Sequence, residues 1–148
     1  MISKLNHQDE QIAKKIYQIQ QAAYRIEAEL MGFNDIPQLH ETVQELQKSK
    51  ELFIGYSQEQ LQGVISYQVE EETVDIHRLV VDPIYFRQGI GKKLVSYLLK
   101  KYRGYKFTVS TGTANKPAIG LYKMFGFQES NLIQVAPNIY CTQFYLNN

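Results

Sequence analysis

The stretch YFRQGIGKKL, residues 85–94, places two glycines and three cations within ten residues. An apolar run, LVV at 79–81, precedes it and is typical of a strand end, while apolar residues at helical spacing follow it. A glycine turn that opens a helix leaves backbone N–H groups free at the positive end of the helix dipole, where an anion can bind. The stretch therefore predicts a phosphate-binding loop, with a simple tight turn between strand and helix as the alternative.

Two common phosphate-binding motifs do not fit these glycines. A P-loop needs a glycine five residues before Gly91 and a Ser or Thr two residues after it, where this chain has Phe86 and Lys93. A dinucleotide fingerprint needs a third glycine at the position of Leu94. The remaining scheme is an amide cradle, in which the backbone N–H groups of residues 87–92 bind a diphosphate and nearby cations add charge.

Composition limits the number of domains and the class of partner. A chain of 148 residues with 44% hydrophobic content suits one domain, 1–148. A net charge of +1 without a basic stripe argues against nucleic acid. The N-terminal segment does not resemble a signal peptide, and no apolar run approaches the ~20 residues that span a bilayer, so we expect a cytoplasmic protein with no membrane partner. Cys141 is the only cysteine, and no three-ligand constellation predicts a metal site.

Hydrophobic periodicity predicts the order β-α-α-β-β-β-α-β-α-β-β, an α+β (mixed α/β) fold with a mostly antiparallel sheet. Apolar residues at helical spacing mark a first helix from Asp9 to Gly32, and Ile36, Leu39, Val43 and Leu46 mark a second. The other elements are expected as strands at 2–5, 52–56, 61–69, 73–81, 105–110, 132–135 and 139–146, and helices at 89–102 and 115–125.

Two blocks of sequence resemble the GNAT superfamily of N-acetyltransferases. VVDPIYFRQGIGKKLVSYLL (80–99) is similar to motif A, a strand followed by [QR]-x-x-G-x-[GA] and a helix. NKPAIGLYKMFGF (115–127) is similar to motif B, N-x-x-A-x-x-L-Y-x-x-x-G-F. Phe86 departs from motif A, because it stands where the family has Gln or Arg and Arg87 follows one step later. The resemblance implies a GNAT fold, in which the parallel strands 73–81 and 105–110 splay into a V.

The resemblance implies acetyl-CoA as co-substrate, without a metal. Its pyrophosphate would lie on the amide cradle, and its pantetheine would run along the end of strand 73–81 like an added strand. The implied contact residues are Leu79, Val80, Val81, Arg87, Gln88, Gly89, Ile90, Gly91, Lys92, Asn115 and Tyr122.

Direct attack of an amine on a thioester needs a proton acceptor, donors to the oxyanion and an acid for the leaving thiolate. Tyr122 occupies the tyrosine position of motif B, which implies the acid. The acceptor stays open between Asp75, His77 and water. Asp75 lies fourteen residues before Gly89, where the histone-acetylating branch has a carboxylate, and His77 shares its strand face and titrates near neutral pH.

Two functions remain, an N-acetyltransferase and a non-catalytic acyl-CoA-binding or regulatory module. The amide cradle would serve both, whereas Tyr122 with Asp75 and His77 favours the enzyme. The acceptor would be a small-molecule or protein amine, bound by the first two helices and the last strand pair, and those terminal strands could also form a homodimer. Candidates to line the acceptor site are Tyr24, Glu27, Met31 and Phe33.

Overall fold

The computed structural model describes residues 1–33 and 36–148. Its elements follow the predicted order. The strands are β1 (Ile2–Leu5), β2 (Leu52–Gln58), β3 (Gln60–Glu70), β4 (Thr73–Val81), β5 (Lys106–Gly112), β6 (Gln128–Ala136) and β7 (Ile139–Asn147). The α-helices are α1 (Glu10–Met31), α2 (Val43–Lys48), α3 (Ile90–Lys101) and α4 (Lys116–Met124).

The strands form one sheet in the order β1-β2-β3-β4-β5-β7-β6. Neighbours pair antiparallel except β4 and β5, which run parallel. The α+β class and the mostly antiparallel sheet are therefore confirmed. β4 lies fourth of the seven strands, which fits its apolar end at residues 79–81.

The parallel pair separates at its carboxyl ends. Among the described residues, the pairing of β4 with β5 ends at Ile76 and Val109. Beyond that point β4 stays paired with β3 as far as Val81, and β5 stays paired with β7 as far as Gly112. The two strands thus open into the V that the sequence resemblance implied.

Apolar side chains on both faces of the sheet hold the helices. On one face, α3 and α4 pack against the sheet. The core there includes Leu94 and Leu98 of α3 and the strand residues Ile65, Val74 and Phe107. On the other face, α1 and α2 pack against the sheet. The core there includes Ala13 and Ile16 of α1, Leu46 of α2 and the strand residues Phe53, Val64 and Val80. The sheet is therefore the middle layer of three, and the V lies between the two helical layers.

A β-bulge interrupts β4 beside the V. Ser66 of β3 pairs with Arg78, but the next residue, Tyr67, pairs with Ile76, so His77 is an extra residue on β4. The bulge shifts the alternation of side chains. Arg78 therefore faces α1 and α2, on the same side as His77.

The second helix differs from its prediction. A 3₁₀ turn at Pro37–His40 and a separate helix α2 replace one continuous helix. The break follows from Thr42, which caps α2 in a reciprocal capping box with Glu45, because an N-cap residue starts a new helix. The first helix is as predicted, with Asp9 and Gly32 as its caps. None of the helices in the described part of the chain combines the length and apolar character needed to cross a membrane.

Candidate functional site

The amide cradle lies at the start of α3. Gly89 is the N-cap residue, with φ 76°, and offers no side chain to cap the helix. The first helical hydrogen bond runs from Lys93 N–H to Gly89 O at 3.0 Å, so the amides of residues 90–92 have no acceptor within the helix. Arg87 also has a positive φ of 66°, and successive amides in such a turn point toward the same side.

The surroundings of Gly91 bear on why a glycine stands in the amide cradle. A Cβ at this position would lie 3.5 Å from Leu121, 3.8 Å from Leu79 and 4.0 Å from Val81, which are ordinary contact distances. Packing therefore does not require a glycine here, and its missing side chain leaves the open end of the V accessible to a diphosphate. The residues present fit the pyrophosphate of acetyl-CoA.

The other residues predicted to contact the cofactor occupy several positions around this end of the V. Leu79 and Val81 are half-buried and face α3, whereas the Val80 side chain is buried against α1, which leaves only its backbone for a cofactor. The side chains at 87, 88 and 92 are exposed. Phe86 is 43% exposed, so the residue that departs from motif A lies on the surface beside the amide cradle.

A cleft of about 890 Å³ opens below the V, between α1 and the strands β4, β5 and β7. Three predicted acceptor-site residues line it, Glu27, Met31 and Phe33. Tyr24 does not line this cleft and instead lies beside Arg78 in a smaller neighbouring pocket. Cys141 is half-buried and lines the cleft, and burial raises the pKa of its thiol.

Asp75 and His77 come together on the wall of the cleft. The His77 Nε2 atom lies 3.3 Å from Asp75 Oδ2, and its Nδ1 atom lies 3.6 Å from Glu51 Oε2. Thr108 of β5 donates a hydrogen bond of 2.7 Å to Asp75 Oδ1. The shared strand face of Asp75 and His77 is therefore as predicted, and His77 stands between two carboxylates.

Arg78 centres a buried polar network that sequence reasoning missed. Its guanidinium lies 2.7 Å from Glu41 and 3.1 Å from Glu51. It donates hydrogen bonds of 2.8 Å to Gln20 of α1 and of 2.8 Å to Ser66 of β3. The network ties α1 and the segment before α2 to β4. An arginine directly before the apolar run at 79–81, on a central strand, was the available signal, since buried arginines need carboxylate partners.

Tyr122 is buried beneath the cleft. Its ring lies 5.3 Å from Phe127 and 6.2 Å from Phe144, and Phe144 lines the cleft. Burial raises the pKa of the Tyr122 hydroxyl, and the charge of Glu27 raises it further. The phenol therefore stays protonated at neutral pH and can act as a hydrogen-bond or proton donor.

Asn115 joins the end of β5 to α4. Its Oδ1 atom accepts a hydrogen bond of 3.3 Å from Ala118 N–H and so caps the helix. Its side-chain amide also interacts with the Glu27 carboxylate. Burial raises the pKa of Glu27, and the Asn115 contact opposes that shift. The sequence predicted Glu27 only as a residue that lines the acceptor site. The structure also gives it an interaction with Asn115.

Within residues 1–33 and 36–148, no group of three or more His, Cys, Asp or Glu side chains is arranged to hold a metal ion. The charged groups of the cleft are Glu27, Asp75, His77 and Lys106. They suit acid–base chemistry on a bound amine.

Comparison with known proteins agrees with this geometry. A model of the acetyltransferase (GNAT) family matches residues 13–127. The chain is 38% identical over 148 residues to the UPF0157 protein YqkA of Bacillus subtilis, a match that covers 99% of this chain but 43% of that relative. The chain thus spans less than half the length of that curated relative.

Solved structures with the same fold include two N-acetyltransferases. The ribosomal-protein-S18-alanine N-acetyltransferase of Escherichia coli superposes with a TM-score of 0.77 at 21% identity, covering 99% of this chain and 92% of that one. The PaiA N-acetyltransferase of Thermoplasma acidophilum, in complex with coenzyme A, superposes with a TM-score of 0.74 at 16% identity, covering 97% and 96%. The family model covers most of the chain, and the uncapped start of α3 and the V agree with it. The chain therefore belongs to the GNAT family of acetyltransferases.

Proposed function

We propose that residues 1–148 form a single N-acetyltransferase domain, which transfers the acetyl group of acetyl-CoA to a primary amine by direct attack. The observation that carries the proposal is the uncapped N-terminus of α3, which opens at the same V as the cleft. A diphosphate binding site and a cleft large enough for an amine substrate, at one opening, are what such a reaction needs. The structural neighbour that contains coenzyme A supports the choice of cofactor.

The residues at the V divide the binding of acetyl-CoA between them. The amides of Ile90, Gly91 and Lys92 would hold the pyrophosphate, because they lack helical acceptors and lie at the positive end of the helix. The exposed side chains of Arg87 and Lys92 would add charge, and Gln88 would add a polar contact. Beyond the point where β4 leaves β5, the backbone of residues 79–81 would pair with the pantetheine.

The reaction itself requires three groups around the thioester. A backbone N–H near Leu79 or Val80 would stabilise the developing oxyanion. The phenol of Tyr122 would protonate the leaving thiolate, since its burial keeps it protonated. Asp75 and His77 stay the sequence-based candidates for the proton acceptor, and their contact with each other and with Glu51 would let a proton pass toward solvent.

The test of the proposed function is release of free CoA thiol across a panel of amines. We expect the purified chain to bind acetyl-CoA and to release thiol with at least one small-molecule amine or peptide amino terminus, and mass spectrometry should find the acetylated amine. Tight binding of acetyl-CoA without turnover on any amine would instead favour a non-catalytic acyl-CoA-binding module.

Tyr122→Phe should lower kcat more than it weakens acetyl-CoA binding. Loss of a general acid typically costs about 10²–10⁴-fold in rate, and we expect the low end because a thiolate, with a parent pKa of ~8.5, is a tolerable leaving group. Steady-state kinetics and calorimetric titration with acetyl-CoA separate the two quantities. Tyr140→Phe, at an exposed tyrosine outside the cleft, is the matched control. Equal losses in kcat and affinity would contradict the acid role.

Other features of the proposed function remain predictions of the sequence. These are location in the cytoplasm, a homodimer through the terminal strands, and the absence of nucleic-acid and membrane partners. The exposed apolar residues on β6 and β7 support the homodimer, and they include Leu132, Val135 and Tyr140.

A further inference from the structure

Glu27 is a carboxylate without a cation to balance it. It projects from α1 into the cleft and is half-buried there. Among the described residues, no Lys, Arg or His forms an ion pair with it. Its polar contact is the neutral amide of Asn115. A partly buried carboxylate with no counter-ion is costly to the fold, so it calls for a cationic ligand or a proton.

The charge of Glu27 also acts on Tyr122, a residue expected beside the thioester. The charges that raise the pKa of Tyr122 are those of Glu27 and then Tyr24, with no contribution from Asp75 or His77. Asn115, the predicted contact of the pantetheine arm, lowers the pKa of Glu27 through its side-chain amide and so belongs to the same surroundings.

Asp75 is placed differently. Its side chain is 55% exposed and already engaged by Thr108 and His77. Of the two carboxylates that line the cleft, Glu27 is therefore the more buried, and it is the one without a cationic partner among the described residues.

We propose that Glu27 binds the ammonium group of the acceptor and takes the proton that must leave before the amine can attack. The inference rests on the proposed function and names the chemical class of the acceptor as a cationic primary amine. It replaces Asp75 and His77 as first proton acceptor and leaves them as a path from the cleft to solvent.

The proton balance of this step is complete. The ammonium gives one proton to the Glu27 carboxylate, and the free amine then forms the N–C bond to the thioester carbonyl. As the C–S bond breaks, the electron pair stays on sulfur, which takes a proton from Tyr122. The nitrogen loses its second proton as the amide forms, and that proton restores the phenol. Glu27 releases the first proton to solvent, so the net products are the amide, CoA thiol and one proton.

The raised pKa of Glu27 fits this role and predicts a stability signature. A carboxyl whose pKa is higher in the folded than in the unfolded state stabilises the fold below its unfolded pKa, and that contribution is lost as the pH rises through the folded value. Ionised Glu27 therefore destabilises the free protein at neutral pH. The titratable groups that face it are Tyr24, Tyr122 and Cys141, and the cleft also contains Asp75, His77 and Lys106.

The test is Glu27→Gln, which keeps the shape of the side chain and removes the charge. We expect kcat/KM for the amine to fall by about 10²-fold or more, as for loss of a general base, with an unchanged Kd for acetyl-CoA. The wild-type activity should fall as the pH drops through the raised pKa of Glu27, and this limb should be absent from the variant. The Tm of the variant should exceed that of the wild type at pH 7 and match it near pH 4.

Matched variants separate the outcomes. Glu29→Gln, at an exposed glutamate two residues along α1, should change neither rate nor pH profile, and Glu27→Asp should restore part of the rate. A wild type that releases no CoA thiol with any amine overturns the proposed function and this inference with it. A wild type that turns over, beside a folded Glu27→Gln variant with full kcat/KM, overturns this inference alone.

Discussion

Arg78→Met is expected to destabilise the fold strongly. It removes the cation that pairs with both Glu41 and Glu51, whose carboxylates lie 2.7 Å and 3.1 Å from the guanidinium. Removing one partner of a buried ion pair typically costs about 3–5 kcal/mol, because the other charge is left buried without compensation. For a chain of this size that loss lowers Tm by roughly 6–20 °C. Thermal unfolding followed by circular dichroism measures it.

The pH dependence of this loss identifies its cause. Burial alone would raise the pKa of Glu51, but a hydrogen bond from Ser66 and the charges of Arg78 and His77 outweigh it, and the pKa falls below the ordinary 4.5. A carboxyl with a lowered pKa stabilises the fold above its unfolded pKa, and that contribution disappears as the pH falls through the folded value. The gap in Tm between wild type and Arg78→Met should therefore narrow below pH ~4.5. Arg103→Met, at an exposed arginine, is the control, and an equally large loss there would contradict the role of the network.

Much of the fold was predictable because its signals are local. The periodicity of α1, the cap at Asn115 and the glycines at 89 and 91 each act on neighbouring residues, and each lies where the sequence predicted. The break before α2 also has a local signal, the capping box that begins at Thr42. The spacing of hydrophobic residues continues through the break and does not reveal it. β6 was predicted too short because most of its residues are exposed, so its sequence carries no alternation of buried and exposed positions.

Some features of the candidate site were also predictable from local signals, and others were not. Asp75 and His77 were paired from the two-residue period of one strand. Glu27 and Arg78 depend on contacts between distant parts of the chain. Arg78 faces α1 because of a bulge that only the register of β3 against β4 reveals. Glu27 reaches the cleft because α1 packs against β4, a relation that no local spacing encodes.

Gly91→Asp is expected to abolish most acetyl-CoA binding while leaving the fold intact. A carboxylate in the first turn of α3 would stand beside the bound pyrophosphate. Two like charges ~4 Å apart repel by about 1 kcal/mol in water and about 4 kcal/mol near a protein surface. The Kd should therefore rise by roughly 10- to 10³-fold, since each 1.4 kcal/mol is about tenfold. Calorimetric titration at low and high salt should find a smaller effect at high salt, because screening weakens the repulsion.

Gly91→Asp should not lower the stability of the protein without bound acetyl-CoA. An acidic residue in the first turn of a helix stabilises it by about 0.3–1 kcal/mol, so Tm should stay level or rise. Gly91→Ala is the matched control, because a Cβ there meets Leu121, Leu79 and Val81 at ordinary distances of 3.5–4.0 Å and adds no charge. It should bind acetyl-CoA more weakly than the wild type, because a Cβ takes some of the space left for the diphosphate, but more tightly than Gly91→Asp, and its loss of affinity should not depend on salt. If Gly91→Asp is folded and keeps the wild-type Kd, the pyrophosphate does not lie on the amides of α3.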